Sequence, residues 1–572
     1  MLVYGDIEQI EDAHAVAAEI GRRMARYRRL PTGRERHQAL VAAFIRAGEL
    51  VQGVADAEFS RTGHDEVSEQ RHAGDALLQV LGRAAFASWS SGFTAAAASL
   101  DERLLQALSL AGPIRTRQAE GYAFYALYPE AYIAAAQQSG LGADTTVIGI
   151  RSIGTSLAAV VAAALGTTAH HLRPTGHPFD RRVAIGERLA ARLLAGTGCY
   201  AIVDEGPGLS GSSFNGVADW LVAHGVAEHR IHFFPSHDGD LGDAARPEHR
   251  RRWPSAHKHV VSFDQIIIDA AHPEHRLESW ISAEVGRLST PLQDLSGGNW
   301  RLQRGKAADR WPPADPALER RKFLAVADGR RWLAKFAGIG SSGETKLQIA
   351  RQVAAAGFAP EPLDLCHGFM LFPWVEHEGA APSGPPLNRV LDYLAFRASL
   401  PATRPGAPIA ALFGMAIHNI GQRLGETAAA ATRSVLADPG CFTPVPCCTD
   451  NRMHRWEWVH SAEGAWHKLD GVDHHAAHDL VGCQDITWDV AGAAVELGLA
   501  ETERDTLSAA LGRRIGRSIG RQFLAASELC YLGFQIGLWT MALARNGDTE
   551  RARIEQLLSG YEQRLCRVLG LT

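Results

Sequence analysis

The stretch from Tyr200 to Phe214, which reads YAIVDEGPGLSGSSF, constrains the fold more than any other part of this sequence. Four apolar residues end in an acidic pair, Asp204 and Glu205. A loop of Gly, Pro and Ser follows, and a helical apolar pattern begins beyond it. This order predicts a buried strand, a tight loop and the start of a helix.

The loop after the acidic pair has the chemistry of a phosphate site. It offers backbone N–H groups and hydroxyls where a helix dipole begins, and this arrangement suits a phosphate dianion. The acidic pair repels phosphate and instead suits donors such as the 2′- and 3′-hydroxyls of a ribose. The loop residues that would contact the phosphate are Ser210, Gly211, Ser212 and Ser213.

An apolar strand, an acidic pair, a Gly/Ser loop and a helix together resemble the motif that binds phosphoribosyl pyrophosphate in type I phosphoribosyltransferases. The resemblance implies that Asp204 and Glu205 hold the ribose, that the loop holds the 5′-phosphate, and that Mg²⁺ bridges pyrophosphate and ribose hydroxyls. The loop is one residue longer than usual, because five residues, 206–210, precede Gly211.

The same residues spell Gly206-x-Gly208-x-x-Gly211, the glycine pattern of dinucleotide-binding loops. That pattern usually follows the first strand of its domain directly, and two carboxylates beside a pyrophosphate are unfavourable. We therefore favour the phosphoribosyl interpretation. A dinucleotide site, with Asp238 as its ribose carboxylate, and a structural loop without a ligand both stay open.

A second strand, loop and helix lie upstream, over residues 146–150, 151–156 and 157–165. Two such units predict a doubly wound parallel α/β sheet of phosphoribosyltransferase type, which binds ligands at the carboxyl ends of its strands. By the same resemblance the upstream loop would hold pyrophosphate. Its candidate contacts are Arg151, Ser152, Gly154 and Thr155.

A polar, cationic segment, 170–182, separates the two loops. Enzymes of this type carry a mobile loop there, whose cations stabilise the departing pyrophosphate. No Lys precedes position 258, so Arg173, Arg181 and Arg182 are the strong cations available, and we assign them catalytic roles together with the acidic pair. A solvated surface loop is the alternative.

Beyond a breaker-rich join the pattern changes. Residues 323–336 predict a hairpin, 341–358 a helix and 368–375 a strand. This order resembles the N-lobe of small-molecule kinases of the aminoglycoside phosphotransferase type. The resemblance implies that Lys335 contacts ATP phosphates and pairs with Glu344, and that Glu376 lies in the hinge beside adenine.

Two later carboxylates extend this resemblance, which implies that Asp450 is the catalytic base and Asp470 the Mg²⁺ ligand. The sequence departs from the family pattern, since Cys448-Thr449 replaces the usual His-Gly and Arg455 stands where the second metal ligand is expected. An active kinase, a degenerate nucleotide-binding fold and a different helical domain all stay open. His474, His475 and His478 have helical spacings that suit a metal, although core or surface histidines are commoner.

The 572 residues have an ordinary globular composition, with 46% apolar and 21% charged residues. The net charge of −5 gives no reason to expect nucleic acid or an anionic membrane as a partner, and no apolar run is long enough to span a membrane. The cysteines are scattered, so we expect reduced thiols in a cytoplasmic protein.

Four regions are predicted. They are a helical region at 1–115 that acts as a cap or forms a homodimer, a phosphoribosyltransferase-like α/β domain at 116–290, a linker at 291–318 and a kinase-like α+β domain at 319–572. We expect transfer of 5-phosphoribosyl from its pyrophosphate to an unidentified small-molecule acceptor, coupled to ATP-dependent phosphorylation. A non-catalytic sensor of phosphoribosyl compounds or nucleotides fits the same folds and is the alternative.

Overall fold

The structure is a computed structural model that describes residues 1–5, 7–305, 307–377, 384–436 and 438–571. Its first region is helical, as predicted, with one small antiparallel sheet at its edge. Some of its helices begin with a side-chain cap, since the Asp12 carboxylate accepts the Ala15 N–H and the Ser68 hydroxyl accepts the Arg71 N–H. The elements are β1 (Glu8–Asp12), α1 (Ala13–Arg29), α2 (Arg34–Thr62), α3 (Glu69–Ser90), α4 (Glu102–Ser109) and β2 (Pro113–Arg117).

The second region alternates strands and helices. Its elements are α5 (Glu120–Phe124), α6 (Pro129–Gln138), β3 (Thr146–Ile150), α7 (Gly154–Leu165), β4 (Ala169–Leu172), β5 (Pro174–His177), β6 (Asp180–Val183), α8 (Glu187–Leu194), β7 (Tyr200–Val203), α9 (Ser212–Ala223), β8 (Ile231–Phe234), α10 (Pro247–Ser255), β9 (His257–Lys258) and α11 (Leu277–Val285). The predicted strand, loop and helix are therefore present at both motifs.

Five of these strands form a parallel sheet in the order β4-β3-β7-β8-β9. Apolar side chains cover both faces, with α7 between the sheet and helices α2, α3 and α6 on one side and α9 on the other. The strand order reverses at β3, because β4 pairs with one edge of β3 and β7 pairs with the other. Such a switch point opens a crevice at the carboxyl ends of β3 and β7, where both predicted loops lie.

An antiparallel sheet follows, in the order β10-β11-β12-β14-β13. The predicted hairpin, helix and strand are all present. The elements are β10 (Gln293–Asp294), β11 (Lys322–Ala327), β12 (Arg330–Phe336), α12 (Ser341–Ala355), β13 (Asp364–Cys366) and β14 (Phe369–Pro373). Phe323, Phe336 and Phe369 on this sheet share one apolar core with helices α2, α3 and α7.

A buried triad of side chains also joins the N-terminal helices to the antiparallel sheet. Glu130 of α6 contacts His37 of α2 through Oε1 and Nε2 at 2.7 Å, and the same oxygen lies 3.0 Å from Nε2 of His367, in the β13–β14 turn. All three side chains are fully buried. The antiparallel sheet is thus fixed to the N-terminal helices by both apolar and polar contacts.

The rest of the chain is mainly helical. Its elements are α13 (Leu387–Ser399), α14 (Ile409–Leu424), α15 (Glu426–Val435), β15 (Trp458–His460), β16 (Trp466–Lys468), α16 (Thr487–Glu496), α17 (Glu501–Ile515), α18 (Arg521–Leu543) and α19 (Asp548–Leu569). Val3 packs into the core of α14, α18 and α19, so the N-terminal residues contact this region. Among the described helices, none combines the length and apolarity that crossing a membrane requires.

The predicted linker packs against the molecule over its described residues. β10 extends the antiparallel sheet, and Arg301 pairs with Glu550 of α19 at 3.0 Å. The Glu550 carboxylate also accepts the Ala314 N–H at 2.6 Å, and Arg545 pairs with Asp315 at 2.5 Å. This segment therefore borders the space between the antiparallel sheet and the C-terminal helices.

Candidate functional site

The acidic pair lies at the carboxyl end of β7, on the floor of a cavity of about 540 Å³. The loop after β3 contributes Ser152 to the cavity, and α5 contributes Glu120. Gly154 makes this close arrangement possible, because a Cβ there would lie 2.5 Å from the Val203 carbonyl oxygen. The structure thus brings the two predicted loops together at one crevice.

Both carboxyls of the pair are poorly solvated. Burial raises the pKa of Asp204 to about 7, and the charges of Arg173 and Arg181 oppose the shift. Burial raises the pKa of Glu205 to about 8, with a further contribution from the charge of Asp204. Glu205 accepts one hydrogen bond from the Gly121 N–H at 3.0 Å. The pair can therefore exchange a proton near neutral pH.

Two of the predicted cations are held by acids of the helical region. Arg151 is buried and contacts Asp56 at 3.0 Å and Asp65 at 2.7 Å. Arg173 pairs with Asp56, and its backbone N–H donates to Asp65 at 2.8 Å. In this arrangement both guanidinium groups are already neutralised. Sequence reasoning missed both acids because they belong to α2 and the residues just after it.

The predicted phosphate loop is covered by the β5–β6 hairpin. The hydroxyls of Ser210 and Ser212 donate to the Pro178 carbonyl oxygen at 3.3 and 2.6 Å. A Cβ at Gly216 of α9 would lie 2.5 Å from the Arg181 carbonyl oxygen, so the hairpin packs closely on this helix. A phosphate at the start of α9 requires the hairpin tip to move away.

The remaining residues predicted to contact phosphate or pyrophosphate lie in different surroundings. Arg182 on the hairpin is exposed and lies 3.5 Å from Asp180. Ser213 occupies the first turn of α9, with Gly211 immediately before it. Thr155 is buried, and its hydroxyl forms no hydrogen bond with the described residues. Arg182 and the loop hydroxyls thus do not converge on the acidic pair, whereas the charges of Arg173 and Arg181 act on Asp204.

A second cavity, of about 260 Å³, lies between the antiparallel sheet and the C-terminal region, and we call it the cleft. Lys335 of β12 contacts the carboxylates of Asp470 and Asp473 there, with 2.5 Å between Nζ and Asp473 Oδ2. Lys346 of α12 lies 3.0 Å from Asp473. The charge of Lys335 outweighs burial and holds the pKa of both carboxyls below its usual range.

The predicted pairing of Lys335 with Glu344 is wrong in this structure. Glu344 faces the helical region, where it contacts Arg23 of α1 at 2.9 Å. Glu376 follows β14 and pairs with Arg331 on the exposed edge of the sheet. Asp473, three residues after Asp470, takes the place expected for Glu344, and the short acidic repeat was the sequence signal for it.

Asp450 is fully buried beneath the cleft. Its carboxylate contacts Lys468 at 2.9 Å, the Tyr393 hydroxyl at 2.5 Å and His474 at 3.3 Å. Lys468 also contacts Glu457 at 2.6 Å. Lys468 is also fully buried, and it lines the cleft whereas Asp450 does not.

The three histidines whose spacings suit a metal do not share a helix face. Residues 474–476 form a single 3₁₀ turn. His474 faces Asp450, His475 is buried, and His478 lies 3.0 Å from Glu120 of α5. Because these side chains have different surroundings, they do not gather around one point, which favours the alternative of core or surface histidines.

Asp470 and Asp473 fit a divalent cation. Both carboxylates approach one point, the Lys335 ammonium, and oxygen ligands of this kind are those that Mg²⁺ prefers. Asp470 is the more accessible of the two, with 37% of its side chain exposed. These two residues would hold the metal that the resemblance implies.

No protein-family model matches this chain, and no curated protein matches it. Among solved structures it is similar to choline kinase LicA from Streptococcus pneumoniae, with 13% identity and a TM-score of 0.30 over 42% of this chain and 89% of that chain. It is also similar to a choline/ethanolamine kinase family protein from Mesorhizobium loti, with 17% identity and a TM-score of 0.31 over 50% of this chain and 92% of that one. A spectinomycin phosphotransferase solved with ADP and spectinomycin gives 12% identity and a TM-score of 0.33 over 51% and 96% of the two chains.

Proposed function

We propose that this chain is a transferase that uses ATP and Mg²⁺ to phosphorylate a small molecule in the cleft. The observation that carries the proposal is the meeting of Lys335 with Asp470 and Asp473 between the antiparallel sheet and the C-terminal region. Phosphoryl transfer needs a cation on the phosphates and carboxylates on the metal, and it depends mainly on positioning and electrostatics.

Each of these residues has a role in the proposal. Lys335 would contact the nucleotide phosphates, and Asp470 and Asp473 would hold Mg²⁺, which neutralises the charge that develops on the phosphates. Lys468 would supply a second cation at the floor of the cleft. Asp450 would act as a positioning residue instead of the catalytic base, because it contacts Lys468 and His474 directly.

The test is nucleotide binding and turnover by the whole chain. We expect Mg²⁺-dependent binding of ATP by calorimetry and slow ADP release, both lost in Asp470→Asn. Glu463→Gln removes an exposed carboxylate from the β15–β16 turn and serves as the control. Unchanged ATP binding and turnover in Asp470→Asn would contradict the proposal. Binding without ADP release, with every small molecule tried, would favour the sensor.

We propose a second activity for the cavity at the acidic pair, which is binding of phosphoribosyl pyrophosphate followed by phosphoribosyl transfer. The supporting observation is that Asp204 and Glu205 share one cavity with the loop after β3, at the switch point of the parallel sheet. The ribose hydroxyls would donate to the two carboxylates. The 5′-phosphate would reach the start of α9 once the β5–β6 hairpin lifts, and Arg181 and Arg182 move with that hairpin.

Calorimetry with phosphoribosyl pyrophosphate and Mg²⁺ tests this second activity. The double variant Asp204→Asn/Glu205→Gln is expected to lose binding, while Asp238→Asn, an exposed control nearby, retains it. If NAD binds instead and Asp238→Asn abolishes that binding, the dinucleotide interpretation replaces this one. Pyrophosphate release on addition of an acceptor separates transfer from sensing.

A further inference from the structure

A third cavity, of about 440 Å³, opens beside the cleft, and we call it the tryptophan groove. The β15–β16 hairpin, residues 310–313 and α19 surround it. Four tryptophans line it, namely Trp311, Trp456, Trp458 and Trp466. Four arginines and two histidines line it as well, namely Arg304, Arg310, Arg455, Arg553, His377 and His460.

The charged side chains that line the groove are all basic over the described residues. Among the described residues that line it there is no Asp or Glu. Glu550 lies nearby, and its one carboxylate is shared by Arg553 at 2.9 Å and Arg301 at 3.0 Å. Arg304 and Arg310 form no ion pair with the described residues, so positive charge remains at the groove.

Indole rings beside guanidinium groups favour a particular ligand chemistry, and the protein itself already uses it, since Arg301 and Arg553 lie over the Trp311 ring and His454 stacks on Trp456. Tryptophan faces stack on planar rings, and arginine binds phosphate through two parallel N–H bonds. The volume of about 440 Å³ falls within the range of small-molecule sites. A cationic ligand would be repelled, whereas a planar ring that carries a phosphate would satisfy both kinds of side chain.

The groove and the cleft are continuous. Arg304, Pro313, His377, Trp456 and Val459 line both cavities. Arg304 lies close enough to Asp470 and Glu457 for their charges to act on its guanidinium. A ligand seated in the groove therefore extends toward the carboxylates that we assign to Mg²⁺.

We propose that the tryptophan groove binds the phosphoryl acceptor, and that the acceptor is a nucleoside monophosphate, which carries both an aromatic base and a phosphate monoester. The inference rests on the proposed phosphotransfer in the cleft. In the reaction the bond between the γ-phosphorus of ATP and its bridging oxygen breaks, and a bond from that phosphorus to an acceptor hydroxyl oxygen forms. ADP leaves, and the hydroxyl proton passes to water.

The test measures binding of AMP, GMP, CMP and UMP by calorimetry, with the cleft saturated by a non-hydrolysable ATP analogue. The Asp470→Asn chain is titrated in parallel without the analogue. At least one monophosphate is expected to bind below about 1 mM, and its uncharged nucleoside about tenfold more weakly. Choline and kanamycin, which are cationic, are expected not to bind.

Two charge reversals locate the binding. Arg310 is exposed, so Arg310→Glu is expected to fold and to weaken monophosphate binding by about tenfold. Arg330→Glu makes the same change at the exposed start of β12 and is expected to leave binding unchanged. Unchanged affinity in Arg310→Glu, or no binding of any monophosphate, overturns the inference.

The outcomes also separate this inference from the proposed function. If ATP binds and is hydrolysed but no monophosphate binds, the groove assignment fails and the phosphotransfer stands. If a monophosphate binds in an Arg310-dependent manner but ATP is neither bound nor hydrolysed, the groove is a ligand site and the phosphotransfer fails.

Discussion

Glu344 of α12 forms an ion pair with Arg23 of α1, with 2.9 Å between the carboxylate and the guanidinium. The carboxylate expected to serve Lys335 therefore connects the antiparallel sheet region to the N-terminal helices. Instead of Glu344, Asp470 and Asp473 on the opposite side of the cleft contact Lys335.

Substitutions of Glu344 and Asp473 are expected to affect ATP binding differently. Glu344→Gln is expected to change ATP affinity by less than about threefold and to cost about 1 kcal/mol of stability, because the pair with Arg23 is partly exposed. Asp473→Asn is expected to weaken Mg²⁺-dependent ATP binding by about tenfold or more. Calorimetry and thermal unfolding measure the two effects. A large loss of ATP binding in Glu344→Gln, with Arg23→Gln unaffected, would show that Glu344 reaches Lys335 during turnover.

The second prediction concerns the acidic pair and pH. Folding raises the pKa of Asp204 to about 7 and that of Glu205 to about 8, so the folded chain keeps protons that the unfolded chain releases near pH 4 to 5. The stability from these groups is complete below that range and is lost as pH rises through 7 and 8. Asp204→Asn/Glu205→Gln is expected to increase the free energy of unfolding at pH 8.5 by about 1–3 kcal/mol. The melting temperature at that pH is therefore expected to rise. Equal melting temperatures at pH 5 and 8.5 in the native chain would contradict this.

A third prediction follows from the buried triad. Glu130→Ala leaves His37 and His367 without their shared acceptor and is expected to cost about 3 kcal/mol. Burial lowers the pKa of His37, so the unfolded chain takes up a proton near pH 6.5 that the folded chain refuses, and stability falls as pH drops from 7 to 5. The pKa of Glu130 is also lowered, chiefly by the charge of His367 against burial, which adds a loss at lower pH. Thermal unfolding at pH 5, 6 and 7 measures both effects, and a flat profile that Glu130→Ala does not alter would refute them.

The fourth prediction tests the packing of the crevice. Gly154→Ala places a methyl group 2.5 Å from the Val203 carbonyl oxygen and is expected to cost about 1–3 kcal/mol while displacing the loop after β3. Gly142→Ala meets only an ordinary contact, 3.5 Å from Asp144, and is expected to be neutral. Calorimetry with phosphoribosyl pyrophosphate on both variants shows whether the loop position matters. Equal stability and equal binding in the two variants would contradict the role given to Gly154.

Local patterns in the sequence predict the strands and loops of both sites. The acidic pair follows a run of four buried residues, 200–203, and Lys335 lies on the second strand of its hairpin, as expected. Such features depend on neighbours in sequence, through side-chain alternation and turn residues. The positions of the elements could therefore be read without knowledge of the tertiary structure.

The partners of the charged residues could not be predicted in this way. Arg151 and Asp56 are separated by 95 positions, and Arg23 and Glu344 by 321. Which acid meets which arginine depends on how the helices pack, and any arginine on a polar segment has many possible partners. The hydrogen bonds from Ser210 and Ser212 to Pro178 could not be predicted for the same reason, since the hairpin contacts the loop only in the folded chain.

Helix α2 links the antiparallel sheet to the crevice of the parallel sheet. His37, near its start, is fixed to the antiparallel sheet through Glu130, whereas Asp56, near its end, holds Arg151 and Arg173 beside the crevice of the parallel sheet. At 1.5 Å per residue these two points are about 28 Å apart along a continuous helix. A change in the position of the antiparallel sheet relative to the parallel sheet would therefore disturb the contacts at both ends of α2.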